Sequence, residues 1–341
     1  MGGLMAGRVR LVDVAERAGV SMKTVSNVVN GYAHVQPKLR ERVQAAIDEL
    51  GYRPNLTARR LATGKTGMIA LAMPEIDHPY FAEIASHLAA AAAAGGYRVI
   101  IEQTLNDPVA ERAVLRDREA GLVDGVIFQP TRMATLEIAK LHDDLPLVLL
   151  GEVEAPVTTD HVMIDNVAAA GAGVRHLLAL GRRRIAFLGL VHGDVTATNR
   201  QRLLGYQEAL IEAGIRPDPT LVLTADGFSA QDAHAAVDAA VAAGLEFDAV
   251  LCRDDRFAAG AVTALRHAGL AVPEDIAVVG WDDTAITAYT APTLTSIAPD
   301  KRALAERAFE LLLERMRGHH GPGRHVVVDH TIAVRESAPA G

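Results

Sequence analysis

Three groups of residues in this sequence have types and spacing suited to chemistry. Lys23 and Asn27 lie one helical turn apart in VDVAERAGVSMKTVSNVVN (12–30). A lysine can donate to guanine O6 and N7, and an asparagine can pair with adenine N6 and N7. Carboxylates occur as neighbours, Asp254/Asp255 and Asp282/Asp283, each at the end of an apolar run. Two facing acids could serve as acid and nucleophile on a glycoside. Three histidines crowd GHHGPGRH (318–325), which invites a metal reading. The last two readings are the weaker ones. Adjacent acids at a strand end send their side chains apart, and these histidines have a Gly/Pro setting with no acid or cysteine partner, as in an exposed turn. No G-x-S-x-G, Walker-type glycine loop or H-E-x-x-H occurs. The expectation is therefore no catalysis, no cofactor and no metal, with Cys252 a small core residue.

Lys23 and Asn27 can read bases only if an element presents them. Val14 and Ala18 lie one turn apart, as do Val25 and Val29 with Val28 beside them, so two short segments each carry one apolar stripe. Gly19 suits the left-handed position that ends the first, and Ser21 is placed to cap the second through the amide near Thr24. The small Ala15 permits a close crossing. This is a helix-turn-helix pattern. Two such helices cannot bury their stripes alone. Pro37 to Leu50 supplies a third, with proline in its first turn, Val43, Ala46, Ile47 and Leu50 on one face, and Gly51 as the stop. Beyond it, YRPNLTARRLATGKTG holds a short helical stretch from Pro54 and Asn55 to near Gly64, in which Leu61 has little core to join.

Charge separates the same region from the rest. Residues 1–66 carry eleven Lys/Arg against five Asp/Glu, and the remainder carries 23 against 37. A basic head on an acidic body fits a head that alone meets a polyanion. The single cysteine excludes an intrachain disulfide and suits a reducing compartment. MGGLMAGRVR lacks the apolar core of a signal peptide, and HLAAAAAAGG (87–96) is too short to span a bilayer. A cytoplasmic protein without a membrane partner is expected.

The runs VDVAERAGVSMKTVSNVVNG and VQPKLRERVQAAIDELGYRPNLTARRLATGKTGMIAL resemble the DNA-binding head of the LacI/GalR family of bacterial transcription regulators, without a gap over residues 11–67. The resemblance implies a head at 8–53, a hinge helix and linker at 54–66 and a core at 67–341. It implies that the second helix enters the major groove, where Met22, Lys23 and Asn27 would meet base edges. Thr24, Ser26, Asn30, His34 and Asn55 would mainly position phosphates. By the same resemblance Leu61 is a minor-groove wedge, with Ala58 small enough to let two hinges approach. Many members carry arginine where Asn27 stands, so the half-site is expected to depart from the commonest one.

From residue 67 onward, short apolar runs alternate with amphipathic helices in two successive series, GMIALAM to LPLVLLGE and HVMIDN to IAVVGWDD. Such alternation predicts two α/β lobes with parallel sheets and about six strands each. LGRRRIAFLG, RLLGYQEAL, DAVLCRDDRFAAGAV and VPEDIAVVGWDDT extend the family resemblance, whose core is like the periplasmic sugar-binding proteins. It implies one lobe of about 67–165 and 296–326, and a second of about 166–295 and 327–337. The fold class expected is thus a two-lobed periplasmic-binding-protein-like α/β core behind a small all-α helix-turn-helix domain. RESAPAG ends the chain without the leucine-rich tail that makes some members tetramers, so a homodimer is expected.

Ligands of such sheets bind outside the carboxyl ends of the strands. That rule selects Asp77, Tyr80, Phe81, Gln129, Glu152, Asp254 and Asp282. The resemblance adds Arg202 as a grip on effector hydroxyls and Phe228 as a stacking ring. By the same resemblance Asp254 stands where asparagine is frequent and Lys301 where some members carry an aromatic, implying a more charged pocket than a plain hexose needs, suited to a sugar acid, an amino sugar or a phosphorylated ligand. The alternative reading of Asp254 or Asp282 is a cap on the following helix. The expected function is a repressor that binds a pseudo-palindromic double-stranded operator and answers to a carbohydrate-like effector. The rival readings are a sugar-binding protein or a carbohydrate-processing enzyme without operator binding.

Overall fold

The computed structural model describes residues 9–29, 32, 34–52, 65–116, 121–142, 145–152, 155–193 and 196–340. The chain forms two compact units, Met1–Thr66 and Gly67–Gly341. Asn30, Asn55, Ala58 and Leu61, and with them most of the expected hinge, lie outside the described residues.

In the first unit α1 (Leu11–Ala18), α2 (Met22–Val29) and α3 (Pro37–Leu50) share one small core. Val14, Ala15, Ala18, Val25, Val28, Val43 and Ala46 are buried in it, and Tyr52 closes it from beyond α3. Helices of two turns are unstable alone, so this shared packing holds them. Gly19 (φ 61°) and Gly51 (φ 63°) end α1 and α3 in the left-handed conformation that a β-carbon penalises. The Thr24 amide donates to Ser21 Oγ at 3.1 Å, capping α2.

The second unit holds two six-stranded sheets. The first contains β1 (Met68–Met73), β2 (Arg98–Gln103), β3 (Val126–Phe128), β4 (Leu147–Leu150), β5 (Asp160–Ile164) and β11 (His325–Val328), ordered β11-β5-β4-β3-β1-β2 and wholly parallel. The second contains β6 (Ile185–Val191), β7 (Val222–Ala225), β8 (Ala249–Cys252), β9 (Ala277–Trp281), β10 (Thr295–Pro299) and β12 (His330–Ala333), ordered β12-β10-β9-β8-β6-β7. Only β12 runs antiparallel to its neighbour. Around the sheets lie α4 (Pro79–Ala94), α5 (Pro108–Arg116), α6 (Thr135–His142), α7 (Asn166–Ala179), α8 (Ala197–Glu212), α9 (Ala230–Ala242), α10 (Asp255–His267) and α11 (Lys301–Met316). The central strands are apolar throughout, because helices cover both faces: every residue of β4, β8 and β9 is buried. Cys252 is buried among them, as expected.

The chain passes between sheets after β5, after β10 and after β11. The second and third crossings depart from the expected lobe limits. Residues 296–299 belong to the second sheet through β10, and 327–328 to the first through β11. The limits missed because β10 and β11 each sit beside a crossing, and an apolar run does not state which sheet it joins. α11 returns to the first lobe, where Phe309 packs so near Gly95 that a β-carbon there would lie 2.6 Å from its ring. No helix among the described residues is long and apolar enough to cross a membrane.

Candidate ligand cleft and DNA-reading face

The cleft between the two sheets is lined from strand ends and helix starts on both sides. Its geometry centres on Arg202, in the second turn of α8 and 9% exposed. The Arg202 Nε donates to Asn166 Oδ1 at 2.8 Å, one Nη donates to the Arg253 carbonyl, and the guanidinium carbon lies 3.8 Å from the Trp281 ring centroid. Burial pushes its pKa down, with the charges of Asp282 and Glu152 opposing. A guanidinium fixed on three sides is an oriented donor.

Asp282 follows β9 with φ at 94°, unusual for a residue with a β-carbon. Its carbonyl accepts from Lys301 Nζ, as does that of Asp283 at 2.8 Å, and its amide donates to the Ile297 carbonyl at 2.8 Å. These bonds hold a backbone that costs about 1–3 kcal/mol to hold there. Burial raises the Asp282 pKa, countered by Arg202. The neighbouring acids part company, as the sequence suggested. Asp283 pairs with Arg335 at 2.7 Å, away from the cleft lining. Asp255 is buried under Ser296 Oγ (2.6 Å) and the amide of Thr284 (2.7 Å), and burial, then the Asp282 charge, pushes it up to about 7.

Of the residues singled out from the sequence, Tyr80, Phe81, Gln129, Glu152, Arg202, Phe228, Asp254 and Asp282 line the cleft together. Asp77 does not: it is exposed, and the buried, inward residue of DHPYF is His78. His78 starts α4, its Nδ1 accepting from the Tyr80 amide at 3.2 Å while its Nε2 faces Asp254 at 3.6 Å. Lys301 also lies outside the lining, because its ammonium is used by the two carbonyls and by Glu83 at 2.9 Å. It does not add to the charge of the pocket. Asp254 both lines the cleft and caps α10, accepting from the Phe257 amide at 2.8 Å. Although burial opposes ionisation, the His78 hydrogen bond and the Arg253 charge hold Asp254 below its ordinary value. Phe228 has the Arg253 guanidinium 4.9 Å from its ring centroid, so a cation already covers one face.

Sequence reasoning missed His78, Glu75, Arg253 and Arg256, which also line the cleft. The strand-end rule that found Asp254 applies equally to the residues on either side of it. Glu75 and Arg256 pair across the cleft at 3.2 Å. Glu152, from the first lobe, accepts from Asn166 at 2.8 Å and from Thr198 at 2.5 Å. Burial, then the charges of Glu152 and Asp282, raises the Tyr80 phenol, leaving it an O–H donor.

In the first unit, α2 turns Met22 (55% exposed) and the exposed Lys23 outward, with Asn27 half-buried a turn later. Thr24 and Ser26 are half-buried, and Thr24 Oγ1 lies 2.9 Å from Ser21 Oγ within the cap. His34 is exposed.

The family model for bacterial regulatory proteins of the lacI family matches residues 10–55, and a periplasmic binding protein-like domain matches 174–338. The transcriptional regulator RegA of Clostridium saccharobutylicum is 31% identical over 327 residues, covering 95% of this chain and 98% of RegA. Among solved structures, the lac repressor dimer bound to operator and the anti-inducer ONPF is 29% identical, with a TM-score of 0.86 over 97% of this chain and 99% of that one. The complex of transcriptional regulator CelR with cellobiose is 30% identical, with a TM-score of 0.71 over 97% and 100%. A three-helix head with an outward second helix, two crossed-over α/β lobes and relatives alike over nearly their whole length agree on one conclusion: the chain belongs to the lacI family of bacterial DNA-binding transcription regulators.

Proposed function

We propose that this regulator is a repressor that binds a pseudo-palindromic operator as a homodimer, with its grip set by a small carbohydrate-like ligand in the interlobe cleft. The observation that carries the reading is the cleft itself, where a fixed arginine, Arg202, and a buried acid, Asp282, stand at facing strand and helix ends. Arginine and carboxylate together hold adjacent hydroxyls. The CelR structure, a complex with cellobiose, supports this class of ligand.

On the head, Met22, Lys23 and Asn27 would read base edges, while Thr24, Ser26 and His34 would meet phosphates. Dimerisation is supported by strand β2 at the edge of the first sheet, where Ile100 (39%) and Ile101 (42%) are exposed. An edge strand carrying exposed branched aliphatics invites a partner. Two-fold symmetry in the protein then demands two-fold symmetry in the DNA. A ligand shifts DNA affinity only if it binds the two states unequally, here two relative settings of the lobes.

The test is selection of bound sites from random duplex DNA by the full chain at moderate salt. An enriched inverted repeat with two half-sites is expected. Enrichment of a single asymmetric site would contradict the dimer, and no enrichment would contradict operator reading.

A further inference from the structure

Three guanidinium groups stand on the second-lobe wall of the cleft: Arg202, Arg253 and Arg256. Arg202 has acceptors for its Nε and one Nη. The other two do not match that. The Arg253 guanidinium carbon is 4.9 and 5.3 Å from the ring centroids of Phe228 and Phe257. Its Nε is 3.2 Å from Asp254, yet neither Nε nor the buried Nη1 has a hydrogen-bond acceptor among the described residues. Arg256 gives Nη2 to Glu75 at 3.2 Å, and its buried Nε likewise has no acceptor.

The acids around them are already engaged. Asp254 accepts from the Phe257 amide and faces His78. Glu75 accepts from Arg256 and, at 3.4 Å, from Asn106. Glu152 accepts from Asn166 and Thr198. Arg253 Nε and Nη1 and Arg256 Nε are thus buried N–H groups without a hydrogen-bond acceptor among the described residues, on guanidiniums that otherwise face Asp254 and Glu75. A neutral hydroxyl accepts weakly from such a group, whereas a carboxylate or phosphate oxygen accepts from several N–H groups at once.

We infer that the cleft takes a polyhydroxylated ligand bearing an anionic group, with Arg253 and Arg256 holding the anion and Arg202 and Asp282 holding hydroxyls. This rests on the reading of the cleft as the effector site. A sugar acid and a phosphorylated sugar both carry such an anion and share the chemistry recognised here.

Trp281 is the only tryptophan and its ring centroid is 3.8 Å from the Arg202 guanidinium carbon, so its fluorescence reports changes at Arg202. The full chain is titrated with glucose, galactose and cellobiose, with gluconate, glucuronate and galacturonate, and with glucose 6-phosphate and fructose 1,6-bisphosphate. Thermal melting serves as a second signal. At least one anionic compound should bind about tenfold or more tightly than its neutral parent. Carboxylates alone responding would identify a sugar acid, and phosphates alone a phosphorylated sugar. Arg253→Gln and Arg256→Gln should weaken that compound about tenfold, and weaken it more than its neutral parent. The wild-type comparison stands even if either variant folds poorly. A neutral sugar binding as tightly as its acid and phosphate, or no anionic compound moving either signal at millimolar concentration, overturns the inference. Operator binding is measured separately. A neutral compound that alters it removes the anion while sparing the repressor reading, and an anion that binds a chain selecting no operator does the reverse.

Discussion

The Arg202 guanidinium lies 3.8 Å from the Trp281 ring centroid, and the same side chain holds Asn166 and the carbonyl of Arg253. One residue thus ties α7, α8 and the ends of β8 and β9 into a single wall. A cation over an indole face is attracted by the ring quadrupole. It is also kept from rotating away, which is what an oriented donor requires.

Arg202→Ala should therefore abolish the ligand's effect on DNA binding while leaving operator affinity within about threefold of wild type. It should also lower core stability by about 1–3 kcal/mol, because Asn166 and a buried carbonyl lose their donor. Titration of operator binding with and without ligand, beside a thermal melt, checks both parts. An unchanged ligand response would remove Arg202 from the site.

Lys301→Met tests the support beneath Asp282. Its ammonium faces the carbonyls of Asp282 and Asp283, both at positive φ. Without it the strained turn should relax and carry the Asp282 carboxylate out of place. Ligand affinity is expected to fall about tenfold or more, for a loss on the order of 1–3 kcal/mol. Equal affinity in the variant would show that the turn holds without Lys301.

The contrast between these two residues shows what the sequence could reveal. Arg202 was legible through a family motif and Asp282 through a strand-end rule, since both depend on local order along the chain. The head was legible for the same reason: Gly19 and Ser21 state a helix end and a helix start within three residues. Lys301 was misjudged because its partners lie 18 and 19 residues away, across a crossing between sheets. Asp77 was misjudged by one position, as the turn after β1 points His78 inward instead. Tyr52 was not expected in the head's core because it follows the helix whose period was read. Local patterns name elements, while tertiary contacts decide which side chain at a strand end faces the cleft.

Asp160 gives a pH dependence. It is fully buried and receives Arg315 at 2.8 and 3.0 Å and Arg324 at 2.9 and 3.1 Å. Burial alone would raise its pKa, but the hydrogen bonds from Arg315 and Arg324 outweigh this and hold it well below the ordinary range. A depressed folded-state pKa stabilises the fold above the unfolded value, near 4, and the contribution is lost as pH falls through the folded value. Asp160→Asn should destabilise the core by about 3–5 kcal/mol at neutral pH, with the gap to wild type narrowing below about pH 4. Melts from pH 3 to 7 check it, and a constant gap would refute the assignment.

Lys23→Ala probes the head. The side chain is exposed, so the three-helix core should melt as in wild type. Affinity for the selected operator should fall by about 1–3 kcal/mol, while binding to unrelated DNA falls far less. Equal losses on both would make Lys23 a phosphate contact.

The most direct test of the account is operator affinity measured across a titration with whichever compound perturbs Trp281 fluorescence. The account predicts that affinity changes by about tenfold or more, in either direction, over the same concentrations that change the fluorescence. A saturated cleft with operator affinity unaltered would contradict it, because the two sites would then share a chain without sharing a free energy.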